Sequence, residues 1–314
     1  MSLIEQAAQR LEQLRKAGAD IPGETAESVA VSTDVSNVQQ NQPAVSVSEM
    51  LSSGVARVPG ESSSAFSKSV NIDLEKLAGA GIIASSSSRS QLADEFRLIK
   101  RPLIANALGK GAAPIKNGNL IMVTSALPGE GKSFTAINLA MSIAMEMDTT
   151  VMLVDADVAR PSVLNMLALP PAPGLLDMLL GGAKDLSSVL LRTNVEKLTL
   201  LPSGTPHLRA TELLASDAME NLLEDMASRY PDRIIIFDSP PLLLTTESRV
   251  LASHMGQIVV VVHAEKTSHG EVKQALAAIE SCPVKLMLLN KAKSAAGDSY
   301  GYGYGYGYGY GQQG

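Results

Sequence analysis

The densest chemical content in this chain lies in nine consecutive residues, Ser125-Ala126-Leu127-Pro128-Gly129-Glu130-Gly131-Lys132-Ser133. Gly129 and Gly131 allow backbone N–H groups to turn toward a phosphate, and the helical pattern that follows would put that anion at a helix N-terminus. Lys132 is placed to reach the β and γ phosphates of a nucleotide, and the Ser133 hydroxyl to ligate Mg²⁺. Pro128, Glu130 and Phe134 complete the expected nucleotide-binding stretch. Such loops usually begin with a glycine; Ala126 stands there instead, a small residue at the least demanding of the three glycine positions.

Two apolar runs end in carboxylates. Val151–Val154 leads into Asp155-Ala156-Asp157, with Arg160-Pro161 beyond, and Ile234–Phe237 leads into Asp238-Ser239-Pro240-Pro241. Residues two apart on an extended chain point the same way, so Asp155 and Asp157 are both expected to face the phosphate pocket. An Asp in the place of Asp238 binds Mg²⁺ directly or through water in P-loop proteins. A third feature is compositional. The chain has seven tyrosines, and six of them, Tyr300, Tyr302, Tyr304, Tyr306, Tyr308 and Tyr310, alternate with glycine near the end. A phenol with a pKa near 10 needs help to lose its proton at neutral pH, and a carboxylate beside Mg²⁺ and a γ-phosphate could take it. Spacing does not say which Asp would do so.

These groups need a scaffold, and the rest of the chain supplies one. Short apolar runs at Leu120–Thr124, Val151–Val154, Leu198–Leu201, Ile234–Phe237, Ile258–Val262 and Lys285–Leu289 read as strands covered on both faces. Helical patterns such as Phe134–Met145 and Thr211–Ser228 lie between them. The expectation is an α/β fold, a P-loop NTPase with a mainly parallel sheet covered by helices on both faces. Ligands then bind beyond the carboxyl ends of the strands. Ahead of it, residues 1–17 read as an amphipathic helix through Leu3, Ala7, Leu11 and Leu14. Residues 18–88 contain 16 serines and one aromatic, too little apolar surface to offset ordering, so a disordered linker is expected. A short structured patch near Ile72–Leu77 fits within it. The domain is placed at 89–291 and a Gly-Tyr tail at 292–314.

Composition excludes several classes. A net charge of −6 argues against a general phosphate-backbone binder, so no nucleic acid partner is expected. A single cysteine, Cys282, excludes disulfide frameworks and multi-thiolate metal sites. The longest aliphatic run, Ile258–Val262, falls far short of the roughly 20 residues of a membrane span. The start of the chain lacks the basic and apolar segments of a signal peptide. A cytoplasmic location is expected. His207, His254, His263 and His269 share no metal-ligand spacing.

The combination of motifs resembles the bacterial tyrosine autokinases. Val151–Pro161 is similar to their extra acidic box and Asp238-Ser239-Pro240-Pro241 to their second Walker motif. Leu201-Pro202-Ser203-Gly204, Glu212-Leu213-Leu214-Ala215-Ser216 and the tyrosine-rich end also match. Phe96-Arg97-Leu98-Ile99-Lys100-Arg101-Pro102 and the N-terminal helix look most like the exosortase-associated members of exopolysaccharide clusters. The resemblance implies an ATP- and Mg²⁺-dependent kinase that phosphorylates tail tyrosines of its neighbours in a ring-like homo-oligomer. It implies nucleotide and metal roles for Lys132 and Ser133, a place for Asp155 and Asp157 near the acceptor hydroxyl, and metal roles for Asp155 and Asp238. Ring contacts fall on Asp94, Arg97 and Lys100, where the family has Glu, Arg and Arg; Lys is the poorer bidentate partner. Where the family often has two arginines before the proline, Ala159 precedes Arg160 here. Asn290, after the last strand, resembles a nucleotide-base contact. The implied partners are a membrane-embedded polysaccharide chain-length regulator that activates the kinase and recruits it to the membrane, and a resetting tyrosine phosphatase.

Two other functions stay open at this level. A switch ATPase of the partitioning or division-site type shares the fold, but carries a second lysine where Leu127 stands. A nucleotide-binding scaffold without kinase activity would not need the intact set of Lys132, Ser133, Asp155, Asp157 and Asp238.

Overall fold

The computed structural model describes residues 68–84, 90–183, 185–229 and 232–293. The N-terminal helix expected at 1–17, most of the linker and the tail tyrosines lie outside the described residues. In chain order the elements are β1 (Lys68–Val70), α1 (Leu74–Gly79), α2 (Gln91–Ala107), β2 (Leu120–Ser125), α3 (Lys132–Ala144) and β3 (Thr150–Asp155). The short helices α4 (Val163–Met166) and α5 (Leu175–Leu179) follow, then β4 (Leu191–Thr193) and β5 (Leu198–Leu201). The chain continues through α6 (Ala210–Leu214), α7 (Asp217–Arg229), β6 (Arg233–Asp238), α8 (Glu247–Ser253), β7 (Gln257–His263), α9 (His269–Ala277) and β8 (Val284–Asn290).

The strands form one sheet in the order β1-β4-β5-β3-β6-β2-β7-β8, parallel throughout except where β4 pairs with β5. Pleating sorts the strand side chains onto two cores. Leu120 and Met122 enter one, with Met152, Val154, Ile235, Phe237, Ile258 and Val260, under α5 to α9. Ile121 and Val123 enter the other, with Val151, Leu153, Ile234, Ile236, Val259 and Val261, under α1 to α3. Across β5, β3, β6, β2 and β7 both faces are dry, which is why those runs read as continuously apolar. β8, expected to be covered on both faces, lies at the edge of the sheet and alternates instead, with Met287 and Leu289 exposed.

All six expected strands are present. Beyond them, β1 and α1 lie in the stretch assigned to the linker. Ile72, Leu77, Ile82 and Ile83 are buried in the second core, Ile72 exchanges hydrogen bonds with Asn194 (2.8 and 3.0 Å), and Ile83 N donates to Asn138 Oδ1 (2.7 Å). The boundary at 89 is therefore too late; a few large aliphatics suffice to dock a polar, serine-rich segment onto an existing sheet. The single pattern Thr211–Ser228 is two helices, because Ser216 Oγ accepts from Met219 N (3.4 Å) and starts α7 afresh.

The motif Leu201-Pro202-Ser203-Gly204 has a structural use. Pro202 O and Ser203 O accept the N–H groups of Leu175 (2.8 Å) and Leu176 (3.0 Å), while Asp177 Oδ2 accepts from Gly174 N (2.8 Å) and Thr205 N (3.0 Å). A Cβ at Gly174 would overlap the Pro202 carbonyl. Gly174→Ala is expected to lower unfolding free energy by about 3 kcal/mol, read by denaturant titration. An unchanged midpoint would mean this clip yields freely.

Candidate functional site

The phosphate loop is held by side chains from three directions. β2 delivers it, Ser125 Oγ donates to Leu127 O (2.7 Å), and Leu127 N donates to Glu130 Oε2 (2.7 Å). Glu130 is buried, and its other carboxylate oxygen accepts from Thr267 Oγ1, just before α9. Asn290 Nδ2 donates to Glu130 O (2.9 Å) and Lys291 Nζ to Gly129 O (2.8 Å). Gly131 caps α3 in the left-handed region at φ 99°, where a Cβ would overlap the Asn290 amide. Glu130 thus braces the loop with its side chain, and Asn290, expected at a nucleotide base, is spent as a buttress. Thr267 and Lys291 escape sequence reading, because their partners stand more than a hundred residues away.

Lys132 sits among carboxylates. Its Nζ lies 2.7 Å from Asp157 Oδ2, 3.9 Å from Asp238 Oδ1 and 3.4 Å from Ser133 Oγ. β3 and β6 are adjacent, with Asp155 opposite Asp238 in register, so the strand ends deliver both carboxylates to one point. The expectation that Asp155 and Asp157 face the pocket together needs correction. β3 ends at Asp155 and the chain turns, with Ala156 N on Asp238 O (2.8 Å) and Arg160 N on Asp157 O (3.0 Å), so strand alternation no longer applies. Asp155 Oδ2 points inward and accepts from Ser162 N and Val163 N, both at 3.0 Å. Only Asp157 opens onto a cavity of about 500 Å³, which Pro128, Gly129, Lys132, Ser133 and Arg160 also line. Phe134 lines a separate apolar groove between α2 and β8.

Burial, joined by repulsion from Asp238, raises the Asp155 carboxyl to about 7. Asp238 is raised to about 6, again mainly by burial, with the Lys132 ammonium and the Ser133 hydroxyl opposing. Asp155 Oδ1 and both Asp238 oxygens are buried and have no hydrogen-bond partner. Buried carboxyl oxygens left in this state suit a divalent cation, whose charge would favour their ionised form. Among the described residues no group of three or more His, Cys, Asp or Glu side chains forms a cage.

The residues assigned to ring contacts divide. Asp94 and Arg97 pair with each other on the exposed side of α2. Lys100 is buried instead, its Nζ on Ser142 O (2.5 Å) and Glu146 Oε1 (2.7 Å) at the end of α3. A long cation reaching the carboxyl end of a helix is stabilised by its unpaired carbonyls. Lys100 therefore joins α2 to the helix that carries Lys132 and Ser133, and offers nothing to a neighbour's surface. Among the described residues, no helix is long and apolar enough to cross a membrane.

Residues 118–291 match the AAA domain family. The tyrosine-protein kinase YwqD of Bacillus subtilis (strain 168) is 30% identical over 222 residues, covering 70% of this chain and 90% of its own. The tyrosine-protein kinase ptk of Acinetobacter johnsonii is 34% identical over 182 residues, 57% of this chain, of which the chain spans 24%. Among solved structures, the chimerical protein CapA2B2 is similar with a TM-score of 0.59 at 27% identity, over 73% of this chain and 95% of that one.

Proposed function

Since this chain belongs to the AAA domain family and to the bacterial tyrosine-protein kinases, we propose that it transfers the γ-phosphoryl group of ATP to the tail tyrosines Tyr300 to Tyr310 of neighbouring copies. The observation that carries this is the convergence, at the carboxyl ends of the central strands β3, β6 and β2, of a phosphate loop, its lysine and three carboxylates, of which only Asp157 opens onto the cavity.

In this reading the Gly129–Ser133 backbone cradles the phosphates and Lys132 leaves Asp157 for the β and γ oxygens. Asp157, freed of its ammonium partner, accepts the phenolic proton. The phenolic oxygen bonds to the γ phosphorus as the bond to the β–γ bridging oxygen breaks, releasing ADP. Ser133, Asp155 and Asp238 would hold Mg²⁺, which when bound neutralises charge on the phosphates. Asp155 and Asp238, too buried to meet a substrate hydroxyl, keep to that role.

The proposal extends to the setting. Copies of the chain assemble into a ring through Asp94 and Arg97, a membrane-embedded chain-length regulator recruits and activates them, and a tyrosine phosphatase resets the tail, so that phosphorylation paces exopolysaccharide assembly. Support for the kinase activity this setting presupposes comes from the tyrosine-protein kinase relatives, and for the tail as its target from the tail composition.

The test is intact-mass measurement of the full chain after incubation with ATP and Mg²⁺, followed by peptide mapping. Steps of one phosphoryl group on residues 300–310 are expected. Phosphate confined to other positions, or ATP bound without any transfer in the presence of the regulator's cytoplasmic segment, would favour a nucleotide switch instead.

A further inference from the structure

The cavity beside the phosphate loop has a second wall of different chemistry, the turn formed by residues 240–245 after β6. Most of its backbone groups are engaged. Pro240 O accepts from Thr124 Oγ1 (2.9 Å) and Ser239 Oγ (3.2 Å), and Pro241 O accepts from Thr245 Oγ1 (3.2 Å) and Leu244 N (3.4 Å). Leu242 O accepts from Arg249 Nε (3.2 Å). Leu242 N and Leu243 N donate to Ser125 O (2.8 Å) and Ala126 O (3.3 Å), the first residues of the phosphate loop itself. The turn is therefore fixed to the loop. Leu242 is wholly buried beneath it, whereas Leu244 is 62% exposed and lines the cavity together with Pro240 and Pro241.

Such a wall selects its occupant. Proline has no N–H, the backbone groups named above are already paired, and the Thr245 hydroxyl in the same wall is turned onto Pro241 O and Ser248 Oγ, so the wall offers a purine edge few hydrogen-bond partners. A phenol matches it better, with a carbon ring for the leucine and prolines and a single hydroxyl at the far end for the polar side of the cavity. We propose that Leu244, with Pro240 and Pro241, forms the seat for the ring of the acceptor tyrosine, its hydroxyl directed toward Asp157 and Lys132. This rests on the reading of the tail as substrate. The tail suits the seat, because glycine on both sides of Tyr302 to Tyr310 leaves no neighbouring side chain to strike the turn. Selection then falls on the ring alone, so any accessible tyrosine between small residues is a substrate.

The test uses the full chain as enzyme and, as acceptor, a ¹⁵N-labelled full chain carrying Lys132→Met, so that mass separates the two. Transfer rate is followed against acceptor concentration, and nucleotide affinity is measured separately. Leu244→Ala should raise the apparent KM for the acceptor about tenfold, the scale of losing one leucine's burial, while the maximal rate and nucleotide affinity change less than about twofold. Leu244→Met, which restores volume, should return KM to within about twofold of the parent. An unchanged KM in Leu244→Ala, or a parallel loss of nucleotide affinity, would overturn the seat while leaving the kinase reading intact. No transfer by the parent enzyme would instead remove the tail reading, and the seat with it.

Discussion

Lys132→Met should abolish tail phosphorylation, lowering the rate by about a thousandfold or more, the scale of removing a preorganised electrostatic contact to the transferring group. Methionine keeps the length and the apolar stem of lysine but not the ammonium. In the structure that ammonium is shared by Asp157, Asp238 and the Ser133 hydroxyl, so it is held over the loop before any nucleotide arrives. The substitution removes the cation proposed to meet the phosphates and leaves Asp157 uncompensated at the cavity, where its charge repels an anion. Nucleotide affinity should fall together with the rate. Intact mass after incubation with ATP and Mg²⁺, beside a binding titration, reads both. Tail phosphorylation surviving within tenfold of the parent would move the chemistry away from this loop.

Asp238→Asn should produce opposite effects on activity and stability. The transfer rate is expected to fall by two to three orders of magnitude, since a buried carboxylate proposed to hold the metal becomes a neutral amide. The metal-free protein should become more stable at pH 7.5. Burial holds the folded Asp238 carboxyl at about 6 against an ordinary value of 3.8. The unfolded chain gives up this proton above about pH 4, while the folded chain keeps it until about pH 6, so stability is full below pH 4 and drains as pH rises through 6. Asp155, held at about 7, adds a second loss in the same direction. For Asp238 alone the displacement corresponds to at most about 3 kcal/mol. Thermal midpoints of the metal-free parent should therefore drop between about pH 4 and 7, and Asp238→Asn should flatten part of that slope. Added Mg²⁺ should recover stability in the parent and not in the variant. A variant less stable than the parent at pH 7.5 would show that the charge is favourable where it lies.

Much of this architecture can be read from the chain because it is written in local patterns. The loop Ser125–Ser133 and the strand-end Asp155 and Asp238 are marked by contiguous residues, and every long strand is an apolar run. The three-residue strands β1 and β4 are too short to show a period, and Ile72 to Ile83 are hidden in a serine-rich background. The inward turn of Asp155, the braces Thr267 and Lys291, and the retreat of Lys100 beneath α2 depend on partners far along the chain. The family resemblance implies a surface role for Lys100; only the packing of α2 against the end of α3 shows that its cation is consumed within the chain.

The buttressing of the phosphate loop by Asn290 and Lys291 has a consequence for the order in which the protein is made. Those contacts span 160 and 162 residues. A ribosome that has issued β2, the loop and α3 has made every residue of the nucleotide-binding motif, yet the amide that fills the space beside Gly131 belongs to the last strand. The loop takes its finished shape only after β8 has left the exit tunnel and joined β7. Tyr300, the first of the proposed acceptors, follows ten residues after Asn290. Nascent chains stalled before residue 284 should then bind nucleotide poorly, and competence for nucleotide should emerge almost together with the tyrosine tail.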